Sequence, residues 1–333
     1  MREKVAEGRV REGVEVGKFK EALAMITTRE FIIASISAAV LAAASGVHAD
    51  LQEWKKTEFE IVGPDIPVAK DMDELRADFT DPLVCSGCHQ QHYEAWSKSY
   101  HARSIQNAGF QALYLKYLDF LKKEETKKAL GRAANVEDLR QCLFCHAPQV
   151  QFASDSVVQQ ISDAIAAGDW EKVRGAQISC VVCHSVTPDG KWASTSFRGD
   201  GVFFGPFRDA VPQSMHKSQY SELHTRSEFC GICHSVGKFN VYCSLVYEQQ
   251  KEADPTGRVT CQNCHMKGKD NTRVAIGGKK NRTLHDHTFP GGRFPEMWRE
   301  AVDMDILAKR HGQDRIQVTV NLKNKITHNI PDG

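Results

Sequence analysis

Ten cysteines and five histidines of this 333-residue chain recur in one fixed arrangement. Cys85/Cys88, Cys142/Cys145, Cys180/Cys183, Cys230/Cys233 and Cys261/Cys264 each enclose two residues. Each pair is followed at once by a histidine: His89, His146, His184, His234 and His265. Structural zinc uses Cys-x-x-Cys pairs but has no reason to place histidine directly after every one. Thioredoxin-like redox chemistry uses one such pair, not five. With 14 histidines in the whole chain, five adjacent ones by accident is negligible.

The pattern is that of c-type haem attachment. Two thiols two residues apart add to the two vinyl groups of one porphyrin, and the next residue offers its imidazole to the iron. The sequence therefore implies five covalently attached haem c groups, with the ten cysteines as anchors and the five histidines as proximal iron ligands. Cys243, the eleventh cysteine, reads as a small buried apolar residue.

Each iron has a sixth position. Histidine there gives a low-potential electron carrier, methionine raises the potential, and an open position can bind a small molecule. Eight histidines after residue 49 are not proximal: His92, His101, His216, His224, His285, His287, His311 and His328. Five distal ligands at most are needed, so the supply neither forces nor excludes an open haem. His311, in the charged stretch AKRHGQD, reads as a surface residue, and His92, one turn from His89, as a non-ligand. Met266 follows a proximal histidine and points away from the distal face.

The elements that must position these groups are only partly readable. Apolar residues at helical spacing predict helices over 110–130, 157–173 and 298–310. Gly, Pro and Asp predict loops over 186–215 and 267–296. Ile316, Val318, Val320 and Leu322 alternate with polar residues and predict a strand. The motifs lie 57, 38, 50 and 31 residues apart, which excludes a tandem array of equal repeats. The expected fold is mainly α with extensive loops, a shell wrapped around five haems, with a β-module beginning near residue 313.

The run from Phe31 to Val47 follows Arg29 and ends in Val-His-Ala, a small-x-Ala cleavage pattern before Asp50. Residues 1–49 thus read as an export signal, residues 50–312 as the pentahaem domain and 313–333 as the start of the β-rich part. Residues 1–24 make an awkward, nearly charge-balanced leader, so translation is expected to start at Met25. The leader holds seven of the 43 Lys/Arg and six of the 42 Asp/Glu, leaving 36 of each in the mature chain. No basic excess remains, which argues against nucleic acid as a partner. Export to a periplasmic or extracellular location agrees with where haem c is attached in bacteria and archaea.

The motifs share more than haem binding. CSGCHQQHYEAWSKSYHARS (85–104), CLFCHAP (142–148), ISCVVCHSVT (178–187), SEFCGICH (227–234) and VTCQNCHM (259–266) form one ordered series. HDHTFPGG (285–292) and the terminal THNIPDG complete it. The series resembles multihaem cytochromes of the cytochrome c-554 type, in the superfamily that includes hydroxylamine oxidoreductase-like and octahaem reductase enzymes. The resemblance spans about residues 80–333. It implies distal ligation by His101, His287 (with His285 as its rival) and His328, with His216 and His224 as the next candidates. THNIPDG departs from the family in having Thr for Gly and Asp for Thr. In the resembled proteins this segment leads into a β-rich region, so the end at Gly333 is read as a truncation.

The expected function is electron transfer in respiration or to an extracellular acceptor, along closely packed, mostly bis-histidine haems. Expected partners are other redox proteins: a quinol-linked reductase, cytochromes or a terminal reductase. A homo-oligomer or filament is compatible with the resemblance. The alternative is a redox enzyme acting on a nitrogen or sulfur compound at one five-coordinate haem. No Cys-x-x-Cys-Lys motif is present, which lowers the case for pentahaem nitrite reduction.

Overall fold

In the computed structural model, the described residues are 68–192, 201–210, 216–235, 245–279 and 281–330. The export leader, the Met25 start, Cys243 and Gly333 lie outside them. The described residues fall into two units, Pro295–Ile326 and the remainder. The protein is mostly helical, with small sheets and long loops.

In the larger unit, α1 (Met72–Asp78) starts at Asp71, whose carboxylate accepts from the backbone N–H groups of Asp73 and Glu74. α2 (Pro82–Ser86) is capped by Asp81 and carries proline where no helical N–H is needed. It leads through the first motif into α3 (Gln90–Trp96). The expected 110–130 helix is two helices, α4 (Ala108–Leu121) and α5 (Glu124–Leu130), broken at Lys122–Lys123. Gly131, at φ 68°, closes α5 in the left-handed conformation.

α6 (Val136–His146) begins with a reciprocal cap between Asn135 and Asp138 and ends on the second motif. Arg132 holds the buried Asp138 carboxylate with two nitrogens at 2.7 and 2.9 Å. α7 (Asp155–Ala167) matches the second expected helix but stops early, at Gly168 with φ 69°. α8 (Cys180–His184) is the third motif itself.

These helices make an apolar core. Leu75, Tyr114, Leu143, Phe144, Val150, Phe152, Val157, Val158, Ile161 and Ile165 are sealed within it. Trp192 closes it and donates from Nε1 to the Val182 carbonyl at 2.8 Å.

The following part of the unit is built differently. β1 (Val202–Gly205) pairs in parallel with β2 (Lys217–Tyr220). α9 (Ser227–Gly231), α10 (Val246–Ala253) and α11 (Cys261–His265) are short. β3 (Gly268–Thr272) pairs antiparallel with β4 (Arg282–His285), so both regions expected to be loops contain strand. Between residues 201 and 294, Phe204 is the one apolar side chain buried among the described residues.

The smaller unit corrects one expectation. The helix foreseen over 298–310 is α12 (Pro295–Ala301) followed directly by β5 (Val302–His311). β5 pairs antiparallel with β6 (Arg315–Asn324) over ten residue pairs, Val302 with Asn324 through His311 with Arg315. Val302, Met304, Ile306 and Ala308 fit a period of two as well as a helical stripe, and a cross-strand partner in Leu322, Val320 and Val318 decides it. The expected strand at 316–322 lies inside β6. The paired apolar residues share one face of the ribbon, and Met304, Ile306, Ile316, Val318, Val320 and Leu322 are exposed on it.

Candidate haem sites

A helical turn explains the motif geometry. Residues i, i+3 and i+4 fall on one helix face, so both thiols and the imidazole of Cys-x-x-Cys-His can address one flat group. α6, α8 and α11 carry their motifs within helix, and the first and fourth continue the helical pattern past their assigned ends. There the N–H of His89 donates to the Cys85 carbonyl at 2.8 Å, and that of His234 to the Cys230 carbonyl at 2.9 Å. All ten motif cysteines are free of disulfides.

The histidines form pairs. Two imidazoles on opposite sides of one iron, each bonded at about 2 Å with its ring centre about 1 Å behind the nitrogen, have centres roughly 6 Å apart. The ring centres of His89 and His216 are 6.3 Å apart, those of His101 and His234 6.2 Å, and those of His265 and His328 6.3 Å. His184 and His287 are nearly parallel at 6.5 Å. Each pair joins one motif histidine to one histidine singled out as a distal candidate.

Second contacts orient these rings. Nδ1 donates to a backbone carbonyl in His89 (Val274, 2.8 Å), His146 (Ser104, 3.1 Å), His184 (Phe204, 2.7 Å) and His265 (Pro290, 2.6 Å). The same holds for His287 (His285, 2.8 Å), His328 (Asn329, 3.0 Å) and His216 (Lys217, 3.2 Å). A carbonyl at Nδ1 fixes the proton there and leaves Nε2 as the metal-binding lone pair. Burial is the leading cause that lowers the pKa of His146, His184 and His265 and brings His101 to about 3 and His287 to about 4. Neighbouring imidazoles push in the same direction for each of them. Neutral imidazole is the form that binds a metal. Paired rings at iron-sized separation, fixed tautomers and free thiols all fit haem c.

His224 is arranged otherwise. It stacks on His184 at 5.7 Å, but its Nε2 faces the Cys183 carbonyl at 3.2 Å and its Nδ1 is buried with no hydrogen-bond partner among the described residues. His285 turns Nδ1 to the Met266 carbonyl at 3.0 Å. His92 lies edge-on to His287 at 4.7 Å and its pKa is driven down to about 3 by burial first and then by His287. His311 sits on the β5–β6 ribbon against Gln317.

His146 also stands apart. Ser104 grips it twice, accepting from Nδ1 through its carbonyl and donating from Oγ to the His146 carbonyl at 2.6 Å. Phe110 stacks on its ring at 4.0 Å. Among the described residues no second imidazole faces it at the spacing of the other four.

The motifs approach one another through sulfur. The thiols of Cys85 and Cys180, of Cys145 and Cys233, and of Cys230 and Cys261 lie near enough to interact electrostatically. Trp96, following the first motif, donates from Nε1 to the Ile178 carbonyl just before the third, at 2.9 Å.

Six of the ten expected anchors, Cys85, Cys145, Cys180, Cys230, Cys233 and Cys261, take part in these approaches, and Cys88 and Cys264 are among the four that do not. Cys88 is exposed at the turn between α2 and α3, and Cys264 is half-buried in α11. In their motifs it is the first cysteine, Cys85 or Cys261, that meets a neighbouring motif. A thiol that forms a thioether needs no protein partner, and the case for Cys88 and Cys264 as anchors rests on motif spacing alone.

Residues 84–185, which contain the first three motifs, match the family model described as cytochrome c554 and c-prime. Over these residues the chain is similar to that family of c-type cytochromes. No curated protein matches the sequence significantly. The chain is similar to the crystal structure of a penta-heme cytochrome c552 from Thermochromatium tepidum, at 18% identity over 77% of this chain and 68% of that one, with a TM-score of 0.48. Sequence reasoning missed the carbonyl acceptors and the rings that abut ligand candidates, Phe110, Phe203, Phe229 and Phe289. Ser104, adjoining Ser-Tyr-His-Ala-Arg, is the readable hint for the grip on His146.

Proposed function

We propose that the protein is a multihaem c-type cytochrome, an exported electron carrier holding five covalently attached haem c groups, four of them between two histidines. The observation that carries this reading is the set of four imidazole pairs at 6.2–6.5 Å, each joining a motif histidine to a distal candidate. His216 stands opposite His89, His287 opposite His184, His101 opposite His234 and His328 opposite His265. His224, with Nε2 on the backbone of the third motif, is a packing residue in this scheme. Bound haem supplies the one-electron Fe(III)/Fe(II) couple.

The thiol approaches support an order for the sites. The first motif adjoins the third, the second adjoins the fourth, and the fourth adjoins the fifth. Cys183 of the third motif lies near enough to Cys230 and Cys233 to interact with them electrostatically. The fourth site is then a junction, with the first, second and fifth as the ends available to partners. With 36 charges of each sign in the mature chain, haem propionates would make the whole negative, which favours docking on basic patches of other redox proteins. A quinol-linked reductase, a cytochrome or a terminal reductase is the kind of partner expected, in the periplasm or outside the cell. Stacking of copies into a filament is a further arrangement, tested by electron microscopy.

The surroundings of His146 favour a second reading, in which the second site keeps its sixth position open to a small nitrogen or sulfur ligand. Pyridine haemochrome assay with intact mass tests the count, and EPR of the ferric protein tests the ligation. Five haems, with four low-spin signals and one high-spin signal that responds to nitrite or nitric oxide, is the expected result. All five low-spin would leave a carrier alone, and a count other than five would sink the motif reading.

A further inference from the structure

The segment His285–Pro290 serves three haem motifs within six residues. His287 faces His184, and the Pro290 carbonyl accepts from Nδ1 of His265. Between them Phe289 turns its ring edge-on to His101 at 4.4 Å and also meets His287 at 5.7 Å. Its backbone has φ 47°, a left-handed conformation that a bulky side chain avoids. The surroundings impose it. His285 accepts from His287 through its carbonyl, Asp286 holds the Thr288 N–H and hydroxyl at 2.8 and 2.6 Å, and Pro290 is fixed by His265. Strain that is over-determined in this way marks a position where function keeps an unfavourable residue.

The ring lies against an unusual imidazole. Nδ1 of His101 is sealed from solvent and has no hydrogen-bond partner among the described residues, whereas His216, His287 and His328 all use Nδ1 on a carbonyl. A hydrogen bond from Nδ1 makes imidazole a stronger donor and favours the oxidised metal, and its absence does the reverse.

We propose that Phe289 is a positioning residue that seals His101 away from water and so holds the His101–His234 site at a more positive potential than the other three paired sites. The inference rests on His101 being an iron ligand. It makes the proposed junction the place where an electron rests longest among the paired sites.

The test is EPR-monitored redox titration of the purified holoprotein and four variants. His101→Ala should convert one low-spin signal to high-spin, and that signal should be the low-spin species with the most positive potential. Phe289→Ala should keep that signal low-spin, move its potential in the negative direction and leave the other three in place. Phe289→Gly should give the same shift with a higher melting temperature than Phe289→Ala, because glycine adopts φ 47° freely. Phe289→Tyr, which keeps the ring, should retain the wild-type potential. An unchanged His101→Ala spectrum would overturn the ligand reading itself. If His101→Ala behaves as expected but neither the alanine nor the glycine variant shifts the potential, the ligand reading stands and the role of Phe289 falls.

Discussion

The second and fourth haem motifs have the same sequence pattern but rest on different foundations. The second ends an eleven-residue helix whose inner face, Leu139, Leu143 and Phe144, is part of the apolar core of residues 69–192. The fourth begins within a five-residue helix and lies in a stretch, 201–294, where Phe204 is the one buried apolar side chain among the described residues. The first region can bury enough apolar surface to be ordered by its own side chains. The second has motif cysteines, histidines and loop carbonyls where a core would be. On the proposed reading its order would come from the haems it binds, as in small metallo-domains where ligand binding and folding are one event.

That contrast can be broken from either side. The largest effect is expected from Cys230→Ala with Cys233→Ala, which removes the anchor of the fourth group. Protease cleavage between 201 and 294 should accelerate on the order of tenfold or more, since a tightly bound group that stabilises only the folded form is lost. Mass spectrometry of the fragments should find residues 69–192 intact. Uniform degradation of both regions would show that they do not differ.

Leu143→Ala attacks the other foundation. Leu143 is fully buried, and the substitution should cost about 2–5 kcal/mol in denaturant unfolding followed by far-ultraviolet circular dichroism. A loss much below that range would mean the first region also leans on its haems. Asp138→Ala removes the capping carboxylate and leaves Arg132 without its bidentate partner. A loss of about 1–3 kcal/mol is expected in the same assay, confined to the first region. Trp96→Phe deletes only the Nε1 bond to Ile178 and should cost about 1 kcal/mol, with spectra of the haems unchanged.

The sequence discloses what covalent chemistry dictates and little of what packing dictates. The five motifs are legible because thioether attachment and proximal ligation need those residue types in that order. The spacing makes all ten cysteines look alike, and only the fold shows which of them, Cys85, Cys145, Cys180, Cys230, Cys233 and Cys261, approach a second motif. His101, His216, His287 and His328 are legible as candidates, but their pairing is not. His89 meets His216 and His101 meets His234 across more than a hundred residues of chain, and local pattern carries no information over that span. His224 reads as well as His216 does, and only the direction of its Nε2 toward the Cys183 carbonyl separates them. The stretch from Trp298 to Arg310 misleads because its apolar residues satisfy two periods at once, and pairing with Leu322, Val320 and Val318 makes most of it a strand. Carbonyl acceptors such as Val274 and Phe204 leave no side-chain signature at all.

The central claim is that bound haem replaces an apolar core in residues 201–294 and not in 69–192. Hydrogen–deuterium exchange of the chain produced without haem attachment, compared with the holoprotein peptide by peptide, tests it most directly. The account predicts that the haem-free chain keeps protected amides in α4, α6 and α7 while 201–294 exchanges fully within the shortest labelling time. Comparable protection of both regions in the haem-free chain, or its loss from both together, would contradict it.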